Sequence, residues 1–463
     1  MNSIFSLPNI FSEFKCSIRL ALPLIASEVI YALNGFIATI MVAHLGKEQL
    51  AANALVWEMH IAMALFFIGI LCSVSIMVAQ SFGAKDNHSI SVCFKQGLIM
   101  ALIFAPFMML AMWFAPVVLV WTKQDPVIIG YATPFFRSLI WPMLPLNIIV
   151  VMHQFLIGIN KTRIVMLTSI LTVPIEIFFY YAFLFGKFGM PKSGLAGIGY
   201  GLAAAYFLVA LSLLYYINFS KHFKIYHLFH KWWLVNRKIL LELLRVGLPL
   251  GFIFCVEVAL FAAVAIMMGL LSTTALAAYQ IAYQYMMIAL VIIFALTQTV
   301  TVRIGNEVGR NNRAALKLTA MVNMGIALGL MLPFSIFYIT FPQLAISLDM
   351  GTHTANLQDL VKEASIFLSM AGVLILVECL RLISLGSLRG LKDTRFPMFV
   401  SVLGFWCIAF PCAYLFAFKF KFGGTGIWWG TIIGLFIAGV ILFTRFNRLV
   451  KHIDLKALVT RAE

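Results

Sequence analysis

Two acidic residues set in long apolar runs are where chemistry is most to be expected in this chain. Glu257 sits near the middle of the stretch 248–269, whose centre reads Cys255-Val256-Glu257-Val258-Ala259-Leu260-Phe261. Such a stretch can cross a bilayer, which takes about 20 apolar residues. A carboxylate at its centre costs roughly 2.5–3.5 kcal/mol on insertion scales, so by default it marks a binding or proton site. The alternative is a carboxyl that stays protonated and hydrogen-bonds a neighbouring helix. Glu378 is the second acid, with Arg381 three residues on. At i, i+3 the two share a helix face and can reach each other. They form either a self-neutralising pair or part of a coupling device. A buried ion pair is weak evidence of stability, because desolvation can outweigh attraction. Glu257 and Glu378 together could hold a sodium ion or an exchangeable proton, and as interacting acids they are expected to titrate in separate steps. Glu28, Glu58 and Glu176 are further acids within apolar runs. His60, two residues from Glu58, points to a different helix face and reads as structural.

The sequence carries no His-Glu-x-x-His, no Gly-x-Ser-x-Gly elbow and no P-loop, so neither metal-assisted hydrolysis nor ATP use is indicated. The seven cysteines lack metal-ligand spacing and read as small core residues. No cofactor is implied. The buried acids point instead to the passage of an ion.

The elements that must position these acids follow from composition. The 463 residues are 63% hydrophobic and 11% charged, against about 45–50% and 25% in a soluble domain, so the chain is an integral membrane protein. Hydropathy predicts twelve spans, near 18–43, 52–82, 94–120, 135–158, 163–186, 194–218, 245–270, 275–302, 315–341, 365–388, 396–418 and 425–447. All are expected to be helices, since a span in lipid must satisfy its own backbone groups. The first run is too long for a signal peptide and reads as a span of the mature protein. With the N-terminus inside, the inner segments hold 24 Lys and Arg and the outer loops 7. That asymmetry places both termini in the cytoplasm of a multi-pass inner-membrane protein. The net charge of +16 is thereby assigned to cytoplasmic loops, with no nucleic-acid partner. The most basic loop, Lys221 to Arg245, contains Trp232 and Trp233 and reads as an anchor at the headgroups with no substrate role.

The same loop divides a duplication. At a shift of 226, Leu22-Pro23 falls on Leu248-Pro249, Leu50-Ala51-Ala52 on Leu276-Ala277-Ala278, and Gly83 on Gly309. At 232, Gly158 and Thr162-Arg163 match Gly390 and Thr394-Arg395; at 229, Gly194, Gly197, Ile198 and Gly201 match Gly423, Gly426, Ile427 and Gly430. Six spans per half keep both halves in one orientation, as in parallel repeats about an axis along the membrane normal. The expected architecture is all-α, twelve transmembrane helices in two pseudo-symmetric six-helix lobes: an N-lobe over 1–220, a basic linker over 221–244 and a C-lobe with tail over 245–463. Pro134, Pro142, Pro145, Pro174 and Pro411 fall within spans, where each frees a carbonyl and permits bending.

At these residues the chain resembles the multidrug and toxic compound extrusion (MATE) family, most closely its NorM-like branch. The resemblance rests on Leu248-Pro249, Glu257-Val258-x-Leu260-Phe261, Ala277-Ala278-x-Gln280, Val302-Arg303-Ile304-Gly305 and Gly386-Ser387-Leu388-Arg389-Gly390. It implies export of lipophilic, often cationic compounds in exchange for H⁺ or Na⁺, by a protein expected to act as a monomer in contact with membrane lipid. It makes Glu257 and Glu378 the cation-coupling acids, with Na⁺ as one candidate occupant, and Gln280 and Arg381 their neighbours. An N-lobe polar site of Glu176, Tyr180, Asn34 and Glu28 is implied as well. Three departures stand out. Ala38 replaces an N-lobe aspartate, Leu374 stands where some members have tyrosine, and Arg381 replaces a neutral side chain. Glu176 then either supplies the missing negative charge or is a protonated packing residue. Two rivals remain: a lipid-linked oligosaccharide flippase, which should carry several cleft cations where this chain has only Arg137 and Arg381 within spans and not counted with a flanking segment, and an intramembrane enzyme. Forty-two Phe and 23 Met supply adaptable apolar and cation–π surface for lipophilic cations.

Overall fold

The computed structural model describes residues 7–350 and 358–459. Long apolar stretches form helices here because a backbone in hydrocarbon has no other partner for its N–H and C=O groups. They are α1 (Leu7–Ala43), α2 (Lys47–Leu71), α3 (Ser73–Gly83), α4 (Asn87–Trp121), α5 (Pro126–Ser138), α6 (Met143–Gly158), α7 (Thr162–Phe185), α8 (Ala196–Phe219), α9 (Arg237–Leu271), α10 (Thr273–Gly309), α11 (Arg313–Thr340), α12 (Pro342–Met350), α13 (Gln358–Gly390), α14 (Arg395–Val402), α15 (Phe410–Tyr414), α16 (Gly423–His452) and α17 (Leu455–Leu458). No strand occurs among the described residues. Among the described residues eleven helical stretches, counting α2 with α3 and α14 with α15 as one each, are long and apolar enough to cross a membrane, and a bent pair makes a twelfth. That pair is α5 and α6, broken by 55° where the fourth span was expected to run continuously from 135 to 158. Pro142 and Pro145 lie at the break, where they remove N–H donors from the first turn of α6. Pro174, by contrast, is carried inside an unbroken α7.

The duplication read from the residues is repeated in local geometry. Asp86 caps α4 by accepting from the Ser89 amide at 3.0 Å, and Asn312, 226 residues later, caps α11 by accepting from the Ala315 amide at 3.2 Å. The residue before each cap, Lys85 and Asn311, turns with positive φ of 59° and 55°. Gly158 and Gly390 mark matched helix crossings. A Cβ on Gly158 would lie 2.7 Å from a Val78 methyl, and one on Gly390 2.7 Å from Ile304. Val78 and Ile304 are themselves 226 apart. Gly390→Val is therefore expected to cost about 1–3 kcal/mol through overpacking, read as a lower thermal midpoint of the purified protein.

The chain divides into two compact units, Met1–Ile25 with Phe252–Leu458, and Ala26–Gly251 with Val459–Glu463. The boundaries inside α1 and α9 are equivalent in the repeat, since 251 − 25 = 226. In the first unit, α10, α11, α13 and α16 pack around one another, and the start of α1 joins them through charge. Arg303 donates to Glu13 at 2.9 Å from Nε and 2.5 Å from Nη2, and Glu307 lies 3.7 Å from Nη2. All three side chains are buried, so each charge has its partner inside the bundle. In the second unit, α7 lies against α8, α4 against α6 and α2 against α5, and the start of α9 meets α2 at Gly247 and Gly251.

Candidate functional site

In the first unit α9 supplies Glu257 and α13 supplies Glu378 and Arg381. All three are buried, at 7%, 0% and 1% exposure. Arg381 joins the two acids. Its Nη2 donates to Glu257 Oε1 at 2.7 Å and lies 2.7 Å from Glu378 Oε2, while Nε donates to Glu378 Oε2 at 2.9 Å. Its Nη1 reaches Glu257 Oε2 at 3.5 Å. One planar fork thus serves two carboxylates on different helices, a geometry that a lysine ammonium could not reproduce.

Phe405 covers this cluster, its ring centroid 5.1 Å from the guanidinium carbon. It lies in a π-helical stretch, Leu403–Ala409, followed by α15 and a second such stretch, Leu415–Lys419. Insertions of this kind re-aim side chains within an otherwise regular helix. No sequence feature distinguishes Phe405 from the other phenylalanines. Gln280 is exposed on α10 and makes no hydrogen bond to the cluster among the described residues.

The cluster's electrostatics are simple. With both acids ionised, two negative charges face one positive charge, leaving one net negative charge in a buried site. Glu378 Oε1 has no hydrogen-bond partner among the described residues. Buried polar atoms are nearly always paired, so this oxygen is an exception within the cluster.

The second unit holds a smaller polar site. Asn34 of α1 donates through Nδ2 to Glu176 Oε2 of α7, across 142 residues of chain. Tyr180, one turn beyond Glu176, is buried with them and sets its hydroxyl beside Asn34. Asn34 Oδ1 and Glu176 Oε1 have no partner among the described residues, so this site too has unused polar capacity. Ala38 packs against the apolar cluster that includes Tyr180. Glu28, also on α1, is exposed. Glu58 is exposed as well, while His60 is buried and stacks on Trp57 at 5.3 Å. Among the described residues no group of three or more His, Cys, Asp or Glu is placed to hold a metal ion.

Comparison with known proteins adds an independent finding. A family model described as MatE matches residues 23–182 and 249–415. The two matches begin 249 − 23 = 226 residues apart, the spacing of the duplication. The probable multidrug resistance protein NorM of Rhizobium meliloti (strain 1021) is 29% identical over 443 residues, covering 96% of this chain and 95% of its own length. The protein of the same description from Agrobacterium fabrum (strain C58 / ATCC 33970) is 30% identical over 447 residues, covering 96% and 95%. Among solved structures, the outward-facing conformation of a multidrug resistance MATE family transporter of the MOP superfamily superposes with a TM-score of 0.84 at 19% identity, covering 97% of each chain. A eukaryotic MATE transporter superposes at 0.83 and 19%, covering 97% of this chain and 98% of its own. These superpositions match the all-helical architecture of twelve spans.

Proposed function

The chain belongs to the MatE family of multidrug efflux transporters, and from that premise we propose that it is a proton-driven antiporter exporting lipophilic, cationic small molecules. The choice of ion is carried by one observation: Arg381 bridges Glu257 and Glu378. Its guanidinium occupies the space between the carboxylates that a metal cation would need. A sodium ion would have to sit beside that fixed positive charge, with Glu378 Oε1 as its one unengaged carboxylate oxygen there. These residues do not fit Na⁺. A proton needs no cavity and neutralises the single excess charge.

In this mechanism a proton arriving from outside settles on one of the two acids and dissolves one of its bonds to Arg381. The tie between α9 and α13 weakens, and the balance between inward- and outward-open states shifts. Ion and drug influence each other only because each binds the two states unequally. Drug leaves as the proton enters, and proton release inside resets the bridge. Glu176 with Asn34 supplies a negative site for the cationic part of the substrate in the other unit. Both termini lie in the cytoplasm, as the excess of basic residues in the inner segments supports, and the working unit is a monomer in the inner membrane. A flippase for phosphate-linked lipids would need free cations in its cleft. Arg381 is consumed by two acids and Arg137 stacks on Trp113 with its carbon 5.2 Å from the ring.

Efflux from proteoliposomes with pH and sodium gradients imposed separately tests the proposal. A pH gradient alone should drive efflux and a sodium gradient at equal pH should not; the opposite pattern would overturn proton coupling. In the same assay Glu176→Gln should slow export of a permanently cationic substrate while sparing a neutral one. Equal slowing of both would assign Glu176 to packing.

A further inference from the structure

The segment joining the two halves of the repeat is a folded plate. Phe223, Tyr226 and Leu228 are buried beneath it. Phe155 meets Phe223 and Tyr226, each at 6.1 Å between ring centroids, and Phe94 meets Phe229 at 5.9 Å. Gln96 of α4 pins it further, donating to the Leu234 carbonyl at 2.9 Å and accepting from the Asn236 amide at 3.1 Å. His227 and Lys231 hold positive φ of 48°, a conformation that persists only where surroundings impose it. The same segment exposes Lys221, Lys224 and Lys231 together with Trp232 and Trp233.

Where this plate meets the end of α8 there is an open groove of about 770 Å³, lined by Leu211, Ser212, Leu214, Tyr215, Asn218 and Phe229. The lining is apolar along α8 and ends in the Asn218 amide, one turn before Lys221. From Leu211 to Lys238 the chain carries five Lys and Arg and no Asp or Glu. An apolar trough ending in an amide, three residues before Lys221 in a segment rich in Lys and Arg, fits a molecule with an acyl chain and an anionic headgroup. It repels the lipophilic cations assigned to transport. We infer that this groove binds an anionic glycerophospholipid, its acyl chain along α8 and its phosphodiester at Asn218 and the lysines. Basic sites of this kind at the membrane boundary attract anionic headgroups over zwitterionic ones.

The test uses the purified full-length protein in neutral detergent, titrated with phosphatidylglycerol or with phosphatidylcholine of the same acyl chains. Bound lipid is counted by native mass spectrometry, and the thermal midpoint is followed in parallel. Wild type should bind phosphatidylglycerol more tightly and gain more stability from it. Lys221→Gln/Lys224→Gln/Lys231→Gln should lose roughly fivefold per lysine, on the order of a hundredfold in all, for phosphatidylglycerol and nothing for phosphatidylcholine. Ser212→Trp, which fills the groove, should weaken both lipids. The exposed pair Lys451→Gln/Lys456→Gln should change neither. Wild-type affinity in the triple lysine variant, or an equal loss in the control pair, overturns the site. Stabilisation by inorganic phosphate equal to that by phosphatidylglycerol also overturns it, since the groove would then hold a free anion.

Discussion

Replacing Arg381 with methionine is expected to be the most damaging single change in this protein. It would leave Glu257 and Glu378 buried on facing helices with no counter-charge. Breaking a buried ionic cluster from one side costs about 3–5 kcal/mol, because the remaining charges keep their desolvation penalty without its compensation. The thermal midpoint in detergent should fall sharply and transport should cease. The decisive comparison is the triple variant Glu257→Gln/Glu378→Gln/Arg381→Met, which removes all three charges together. Replacing a whole buried cluster with neutral groups of similar volume is often close to neutral for stability. The triple variant should therefore recover most of the lost midpoint while remaining unable to exchange protons for drug. Recovery of transport along with stability would show the cluster to be structural only. A triple variant as unstable as Arg381→Met would show that the arginine acts through packing on Phe405.

The second large effect concerns Glu257 itself. If proton and drug are coupled through the triad, drug affinity in the wild type should fall as pH is lowered. Coupling free energies between sites usually correspond to factors of about 5–150. The sign follows from exchange: the state that accepts the proton is the state that releases drug. In Glu257→Gln the pH dependence should flatten and gradient-driven efflux should be lost. Some drug binding should survive, since the amide keeps one oxygen for Arg381. Equilibrium binding of a permanently charged fluorescent cation, measured across a pH series, checks this without any gradient. An unchanged slope in Glu257→Gln would remove that residue from the coupling site.

The sequence alone determined a good deal. Bilayer thickness sets how many apolar residues a span needs, so hydropathy was enough to count twelve spans and to predict an all-α protein. The 226-residue spacing marked the repeat because matched residues do the same geometric work in each half, as the paired caps Asp86 and Asn312 show. The cost of an acid in hydrocarbon singled out Glu257, Glu378 and Glu176, all buried in the folded protein. Glu28, another acid in an apolar run, has an exposed side chain on α1, and hydropathy records how apolar a helix is and not which way one residue faces.

Only the tertiary structure decided which acids share a partner. Arg381 was expected to reach Glu378, three residues away on its own helix, but its other arm goes to Glu257, 124 residues distant. That contact depends on how α9 and α13 are rotated and crossed, which no local periodicity encodes. The pairing of Asn34 with Glu176, the break between α5 and α6, and the π-helical turn that sets Phe405 over the guanidinium have the same origin. Each is settled by packing between helices, after the residues have already determined that helices will form.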